Sequence, residues 1–536
     1  MKKTKTMTGR LLSLFLAGVL ASGTVVSGEE LFTDVPVQEE VLVTEEPQAE
    51  GTPEAAVDVP EPYPETESGQ EIGSPAENQT EEEGLFTAPE AEMVLDDGQE
   101  EEPLQTEGTM TQEEIDAQLL PMENLSEIFC VEPPRSSGNG INGIRTYGAE
   151  ALPAKYDTRG SSTTMVKNQK PFGMCWAFTT AAGLESSLIR KGLGTYDLSE
   201  EHLAYFFANR QNDPLGNTAS DRNVVYDSYR QGGNQVLAAI FLSTWSGMGL
   251  ESEVPYPTDA TNTVSYNTRP SANYAYKTTA YLTDAVFSDY DVTKMKQLIY
   301  DYGTVGLSLC LETRYYNAEK KAYSCPDANA KANHAVTLVG WDDTYPKENF
   351  GASSGVTSDG AWIAKNSWGL QWGEQGYFYI SYENKGNYNI VAEAGTTRPN
   401  YPNNYFYDGS SALSSFSLKR ASSSDTSDAT RIANVFEAKA GKGKAEMLGE
   451  VVVATHSDGS SFGIQIYTNL TDPEDPESGI PAYETPISFY QPYAGISTVP
   501  VPEVELMQGT LYSVVLTNQG GDSMNYLVEC DGNYGW

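Results

Sequence analysis

Between Arg10 and Arg135 the chain has no lysine or arginine, while Asp and Glu recur from Glu29 to Glu132. A stretch so acidic, and so rich in Pro, Thr, Gly and Ala, cannot bury enough apolar surface to offset the entropy of ordering it. Residues 29–110 are therefore read as a disordered acidic region with the bland role of a solvated spacer. The whole chain has 536 residues and a net charge of −42. Most of that excess lies in the N-terminal quarter, and the rest is only mildly acidic. The charge argues against nucleic acid or an anionic membrane as a partner.

Ahead of the acidic region, Lys2, Lys3, Lys5 and Arg10 precede the apolar run Leu11–Val26 and then small residues. This is the pattern of a secretory signal peptide over residues 1–28. The alternative is an uncleaved anchor, but the run is short for a span and carries Gly and Ser. Once it is cleaved, no transmembrane segment is expected. After the acidic region, Ile115, Leu119, Leu120, Leu125 and Ile128 suggest a short helix, followed by a Pro/Ser/Gly linker. Residues 111–150 are assigned as a pro-segment and linker. Of the five cysteines, Cys130, Cys175, Cys310, Cys325 and Cys530, at least one is left unpaired by the odd count. Cys310 and Cys325 flank a short connection, either as a disulfide or as two reduced thiols.

From Leu152 the composition is that of a folded domain. Helical spacing of Ala177, Phe178, Ala181, Leu184, Leu188 and Ile189 predicts a helix from Cys175 to Arg190, ended by Gly192 or Gly194. Ser199 is the expected N-cap of a second helix, with Leu198 and Leu203 as a hydrophobic staple. Further helices are expected over 235–245 and 292–302. Strands are expected over 304–311, 334–341, 360–365 and 377–382. Helices first and strands afterwards predict an α+β domain with two sub-lobes over 151–396. Residues 397–536 show short β-prone runs separated by turns, the pattern of an antiparallel sandwich.

The chemistry concentrates in three places. Cys175 falls where a helix should start, and a helix N-terminus favours a thiolate. Gln169, six positions upstream, could donate to an oxyanion together with the Cys175 N–H. A lone cysteine is more often a buried hydrophobe, so the partners decide. There are only three histidines. His334 opens the apolar run Asn333-His334-Ala335-Val336, whereas His202 is expected at a helix surface or cap and His456 in a solvated turn. Asn366, in Lys365-Asn366-Ser367-Trp368-Gly369, could fix the tautomer of His334, with Trp368 shielding that bond from water.

Together, Gln169, the Gly-Met-Cys-Trp-Ala-Phe run ending at Phe178, Asn333-His334-Ala335-Val336 and Asn366-Ser367-Trp368-Gly369 resemble the papain family of cysteine peptidases. Leu198-Ser199-Glu200-Glu201 and Gly232-Gly233 are similar to further family landmarks. The resemblance implies a two-lobe α+β fold and a catalytic set of Cys175, His334, Asn366 and Gln169, with Cys175 and His334 as a thiolate–imidazolium pair. It implies Gly232, Gly233, Trp368 and Asn333 as substrate-groove residues. No cofactor is required for that chemistry. Two departures stand out. Phe172 replaces the family's usual cysteine three before the nucleophile. The long Cys175–His334 interval implies insertions within Ala208–Gln231 and Pro257–Thr278.

Asn404-Tyr405-Phe406-Tyr407-Asp408, Ala433-Asn434-Val435-Phe436 and Ile466-Tyr467-Thr468-Asn469-Leu470, with Gly340-Trp341-Asp342-Asp343, resemble clostridial cell-surface cysteine proteases that carry a lectin-like domain. That implies a Gram-positive source, a secreted or wall-associated enzyme and protein or peptide substrates. It also implies a cell-surface glycan as a further partner and a structural calcium in the sandwich. A monomer is expected. The rival reading is a catalytically idle adhesin in which the protease scaffold supports a carbohydrate-binding sandwich.

Overall fold

The computed structural model describes residues 152–209, 232–257, 270–397, 403–407, 413–418, 430–440, 443–520 and 524–529. The signal peptide, acidic region, pro-segment, Cys130, Cys530 and most of the two expected insertions lie outside the described residues.

Four α-helices carry the first part of the domain: α1 (Cys175–Arg190), α2 (Glu200–Ala208), α3 (Gln235–Leu242) and α4 (Val292–Tyr302). Helix α1 is buried from Cys175 to Leu188. An all-round buried helix belongs at the centre of a domain rather than on its surface. It stops where the sequence suggests. Gly192 takes a left-handed φ of 67°, its N–H reaches Ile189 O, and the Leu193 N–H reaches Leu188 O. These are the two bonds of a Schellman cap, which requires a residue tolerant of positive φ. Ser199 caps α2 by accepting from the His202 N–H at 2.9 Å, and Leu198 and Leu203 are both buried in the same core. Helix α3 ends earlier than expected, at Leu242, and Trp245 adopts a positive φ of 59°.

Two cores follow. One joins α1, α2 and α3 through Trp176, Leu184, Leu203, Phe206 and Phe241. The other lies beneath α4 and the strands, with Leu298, Val336, Trp341, Trp362, Trp368 and Phe378. The strands Val305–Leu309, His334–Asp342, Ala361–Lys365 and Tyr377–Ser381 pair in that order, all antiparallel.

Besides the short strands Lys155–Asp157, Tyr316–Asn317 and Ala322–Tyr323, two long strands of the protease domain escape the sequence reading, Tyr281–Ser288 and Asn387–Thr396. Asp284 and Glu393 interrupt their apolar patterns, and each is stabilised as a strand by its neighbours instead. Tyr281–Ser288 pairs on one side with Asn387–Thr396 and on the other with Gly495–Ser497 of the C-terminal region. One 13-stranded sheet therefore runs from Tyr316–Asn317, through the histidine-bearing strand, to Leu413–Leu418. Its far end stacks on a second sheet of five strands. Val451, Val453, Val499, Val501 and Leu506 from one sheet meet Phe436, Phe462, Ile464, Ile466 and Tyr512 from the other. Alternate burial along Ala445–Thr455 shows the period of two that a half-buried strand demands. The expected all-β sandwich is present, but its sheet is continuous with that of the preceding domain.

Candidate active site

Cys175 is the first residue of α1, so its thiol lies at a helix end whose backbone N–H groups have no intrahelical acceptors. The backbone N–H groups of Ala335, Trp176 and Cys175 lie near the thiol and favour its ionised form. Ala335 follows His334, so the helix start and the histidine strand meet.

His334 is the first residue of its strand and is held in register opposite Leu309. Its Nε2 lies 2.7 Å from Asn366 Oδ1. The Ser367 N–H donates to the same oxygen at 2.8 Å, which fixes it as the acceptor. Nε2 therefore carries the proton, and Nδ1 is left as the lone-pair nitrogen. Nδ1 has no hydrogen-bond partner. The Trp368 ring covers the imidazole at a centroid distance of 4.7 Å, and Trp372 packs edge-on to Trp368. The His334–Asn366 bond is thus dry, which strengthens it relative to the same bond in water.

Gln169 is held on four sides. Its N–H donates to Ser367 O at 2.8 Å, and Ser367 Oγ donates to its Oε1 at 2.6 Å. Tyr256 Oη donates to its backbone oxygen at 2.6 Å, and its own Nε2 donates to Phe172 O at 3.1 Å. One Nε2 hydrogen remains available beyond that contact. Ser367 lies within a motif the sequence displayed, but its contact with Gln169 could not be seen there. Tyr256 had no signal at all, being one tyrosine of many.

Gly232 and Gly233 precede α3. A Cβ at Gly233 would come within 2.4 Å of the Trp176 ring, so the backbone lies directly on the residue after Cys175. Asn333 clamps the approach to the histidine. Its side chain accepts from the Leu311 N–H at 2.7 Å and donates to Leu311 O at 3.1 Å. Phe172 is buried and packs edge-on to Tyr256, so an aromatic contact stands where the family's usual cysteine would be.

The other histidines separate from this group. His202 is not on a surface. It is buried against Phe206, with Nε2 at 2.8 Å from Tyr274 O, because the short 3-10 turn Ala272–Tyr274 lies against α2. His456 is half-buried at the end of a sandwich strand.

Burial acts on each member of the central pair in the direction of its neutral form. It pushes the Cys175 thiol up to about 11 and the His334 imidazole down to about 4. Moving the proton from sulfur to Nδ1 would place opposite charges together, and their attraction opposes that cost. The helix start and the Ala335 N–H favour the thiolate further.

Among the described residues, no group of three or more His, Cys, Asp or Glu stands together as a metal site. The calcium that the resemblance implies has no such ligand cluster in the described part of the sandwich.

Comparison with known proteins agrees with this geometry. Residues 152–397 match the model of the papain family of cysteine proteases, and residues 411–535 match a lectin-like domain. The chain is 27% identical over 288 residues to mouse cathepsin S, covering 53% of this chain and 72% of that protein. Among solved structures, it resembles the cysteine protease and lectin-like domains of Cwp84, a surface-layer-associated protein of Clostridium difficile. That match has 26% identity, a TM-score of 0.56, and covers 72% of this chain and 80% of the other. A second structure, clostridial Cwp84 after propeptide cleavage, gives 27% identity and the same TM-score over 71% of this chain and 89% of that one. The chain carries a papain-family cysteine protease domain over residues 152–397. More narrowly, it is a papain-like protease followed by a lectin-like domain, an arrangement similar to that of Cwp84.

Proposed function

We propose that this protease is a secreted endopeptidase in which Cys175 attacks the scissile carbonyl carbon. His334 Nδ1 takes the thiol proton and later delivers it to the leaving amine. The free Nε2 hydrogen of Gln169 and the Cys175 N–H stabilise the oxyanion, and water then releases the acyl-enzyme. Asn366 orients the imidazole, Trp368 keeps water from that bond, and Gly232, Gly233 and Asn333 line the substrate groove. The observation that carries this reading is the buried His334–Asn366 bond, which leaves Nδ1 unpartnered beside the helix start that bears Cys175.

The substrates are surface, wall or extracellular proteins, by analogy with the surface-layer association stated for Cwp84. Residues after the leader and before about Ala151 act as a pro-segment, a reading supported by the propeptide cleavage stated for the same relative. The sandwich presents the protease to a cell-surface glycan. The protein acts as a monomer outside the cell.

The test is a peptide epoxide probe on purified protein in reducing buffer, with the adduct located by mass spectrometry. A label on Cys175 that is lost in His334→Ala is the expected result. Cys175→Ala should no longer cleave casein, and undiminished cleavage by that variant would overturn the proposal.

A further inference from the structure

We propose that Cys310 and Cys325 form a second, non-catalytic thiol pair that closes to a disulfide under oxidising conditions and braces the segment carrying Asn333 and His334. Both cysteines are buried and reduced in the structure. One turn brings them together. The Cys310 N–H donates to Gly386 O at 3.1 Å, and the Lys385 N–H donates to Cys325 O at 2.8 Å. The Cys325 sulfur is close enough to Cys310 to act on its charge. Tyr323 ties the same two stretches, donating from Oη to Cys310 O at 2.5 Å while accepting from the Glu312 N–H at 3.1 Å.

The position matters because Cys310 lies between Leu309 and Leu311. Leu309 O accepts from the Asn333 N–H, and Leu311 holds the Asn333 side chain through two bonds. Leu309 is also the register partner of His334. A covalent link from Cys310 to Cys325 would close a loop whose C-terminal side leads directly into Asn333 and His334.

The step is thiol–disulfide exchange with a low-molecular-weight disulfide. One protein thiolate attacks a sulfur of the oxidant, forming a mixed disulfide and expelling one small thiolate. The second protein thiolate then attacks the protein sulfur of that mixed disulfide and expels the other. Two protein thiols lose two protons and two electrons, and one small disulfide becomes two thiols. The sulfur of Cys310 faces Cys325 and Glu312, with Tyr323 and Tyr388 nearby, and Asp327 lies beside Cys325. Burial, with Cys325 and Glu312, pushes the Cys310 thiol up to about 12. The attacking species is a thiolate, so closure accelerates as pH rises.

The experiment uses the full chain carrying Cys175→Ala, which removes the reactive thiol and any self-cleavage, so its outcome is independent of whether the protein is a protease. The variant is incubated with oxidised glutathione and mapped as non-reduced peptides. A Cys310–Cys325 cross-linked peptide is expected. A melting-temperature rise of about 5–10 °C should accompany it and be absent from Cys310→Ser. Overturning results would be full alkylation of both cysteines by iodoacetamide after denaturation, stable glutathione adducts without a cross-link, or pairing with Cys130 or Cys530 instead. If Cys310→Ser fails to fold, Cys325→Ser replaces it as the control, and the peptide map decides the pairing by itself.

Discussion

Gly495 and Ala285 lie so close across two domains that a Cβ on the glycine would stand 1.9 Å from the Ala285 carbonyl oxygen. Gly495 also has a φ of 138°, where a side chain is strained whatever the space. This contact is the point where the sheet of the protease passes into the sandwich. Lys294, at the start of α4, reinforces it by pairing with Asp458 at 2.9 Å, and the Asp458 carboxylate also accepts from the Ala494 N–H. Replacing Gly495 with valine should therefore destabilise the folded protein by about 3 kcal/mol or more, combining overlap with backbone strain. Denaturant unfolding compared with wild type measures it, and a change within about 0.5 kcal/mol would contradict the shared-sheet account.

Removal of the sandwich should also harm the protease. Ala494 and Ile496 belong to the core of the helical lobe, and the outer edge of Tyr281–Ser288 loses its partner strand. An exposed edge of this kind invites aggregation. A chain ending at residue 397 is expected to show lower soluble yield and a lower melting temperature than the full chain. If it is equally stable and equally active, the sandwich is an independent module.

Asn366→Ala should lower kcat by about 100-fold with KM little changed, since the side chain orients a catalytic group rather than the substrate. The variant should unfold at nearly the wild-type temperature. A loss confined to KM would assign Asn366 to substrate binding instead.

Gly233→Ala should reduce kcat/KM because its methyl would overlap the Trp176 ring, forcing either the groove backbone or the start of α1 to shift. Displacements of this size near reacting groups cost on the order of 100-fold. Steady-state kinetics on a peptide substrate measure the effect, and wild-type rates would show that the groove relaxes freely.

Glu393 is buried beneath α1, and a Cβ at Gly183 would overlap its carboxyl. Burial holds its carboxyl well above the usual carboxylate range. A raised folded-state value means that the native protein retains a proton the unfolded chain has released. Stability is then highest below the ordinary glutamate value and declines as pH rises toward the folded-state value. Glu393→Gln should consequently melt higher than wild type at pH 7–8, with the two converging near pH 4–5. A pH-independent difference would mean that packing, not ionisation, sets the effect.

His202 works in the opposite direction. Burial lowers its imidazole to about 4, so the unfolded chain takes up a proton before the native state does. Its contribution is present above the ordinary value near 6.5 and is lost as pH falls through about 4. His202→Gln should flatten the decline in melting temperature between those values, and an unchanged slope would rule His202 out as its source.

The sequence by itself determined the local chemistry. The residues after Gly173 start a helix at a cysteine, Gly192 permits its cap, Ser199 starts the next helix, and His334 opens an apolar strand; each follows from periodicity, side-chain capping or backbone freedom over a few residues. Contacts between distant segments had no such local signature. That Ser367 and Tyr256 hold Gln169 and that His202 is buried against Tyr274 were decided by the packing of distant segments, as was the proximity of Cys310 and Cys325, which the sequence left open. So was the pairing of Tyr281–Ser288 with a strand of the sandwich: strand pairing depends on which backbone edge is left open, and only the assembled sheet determines that.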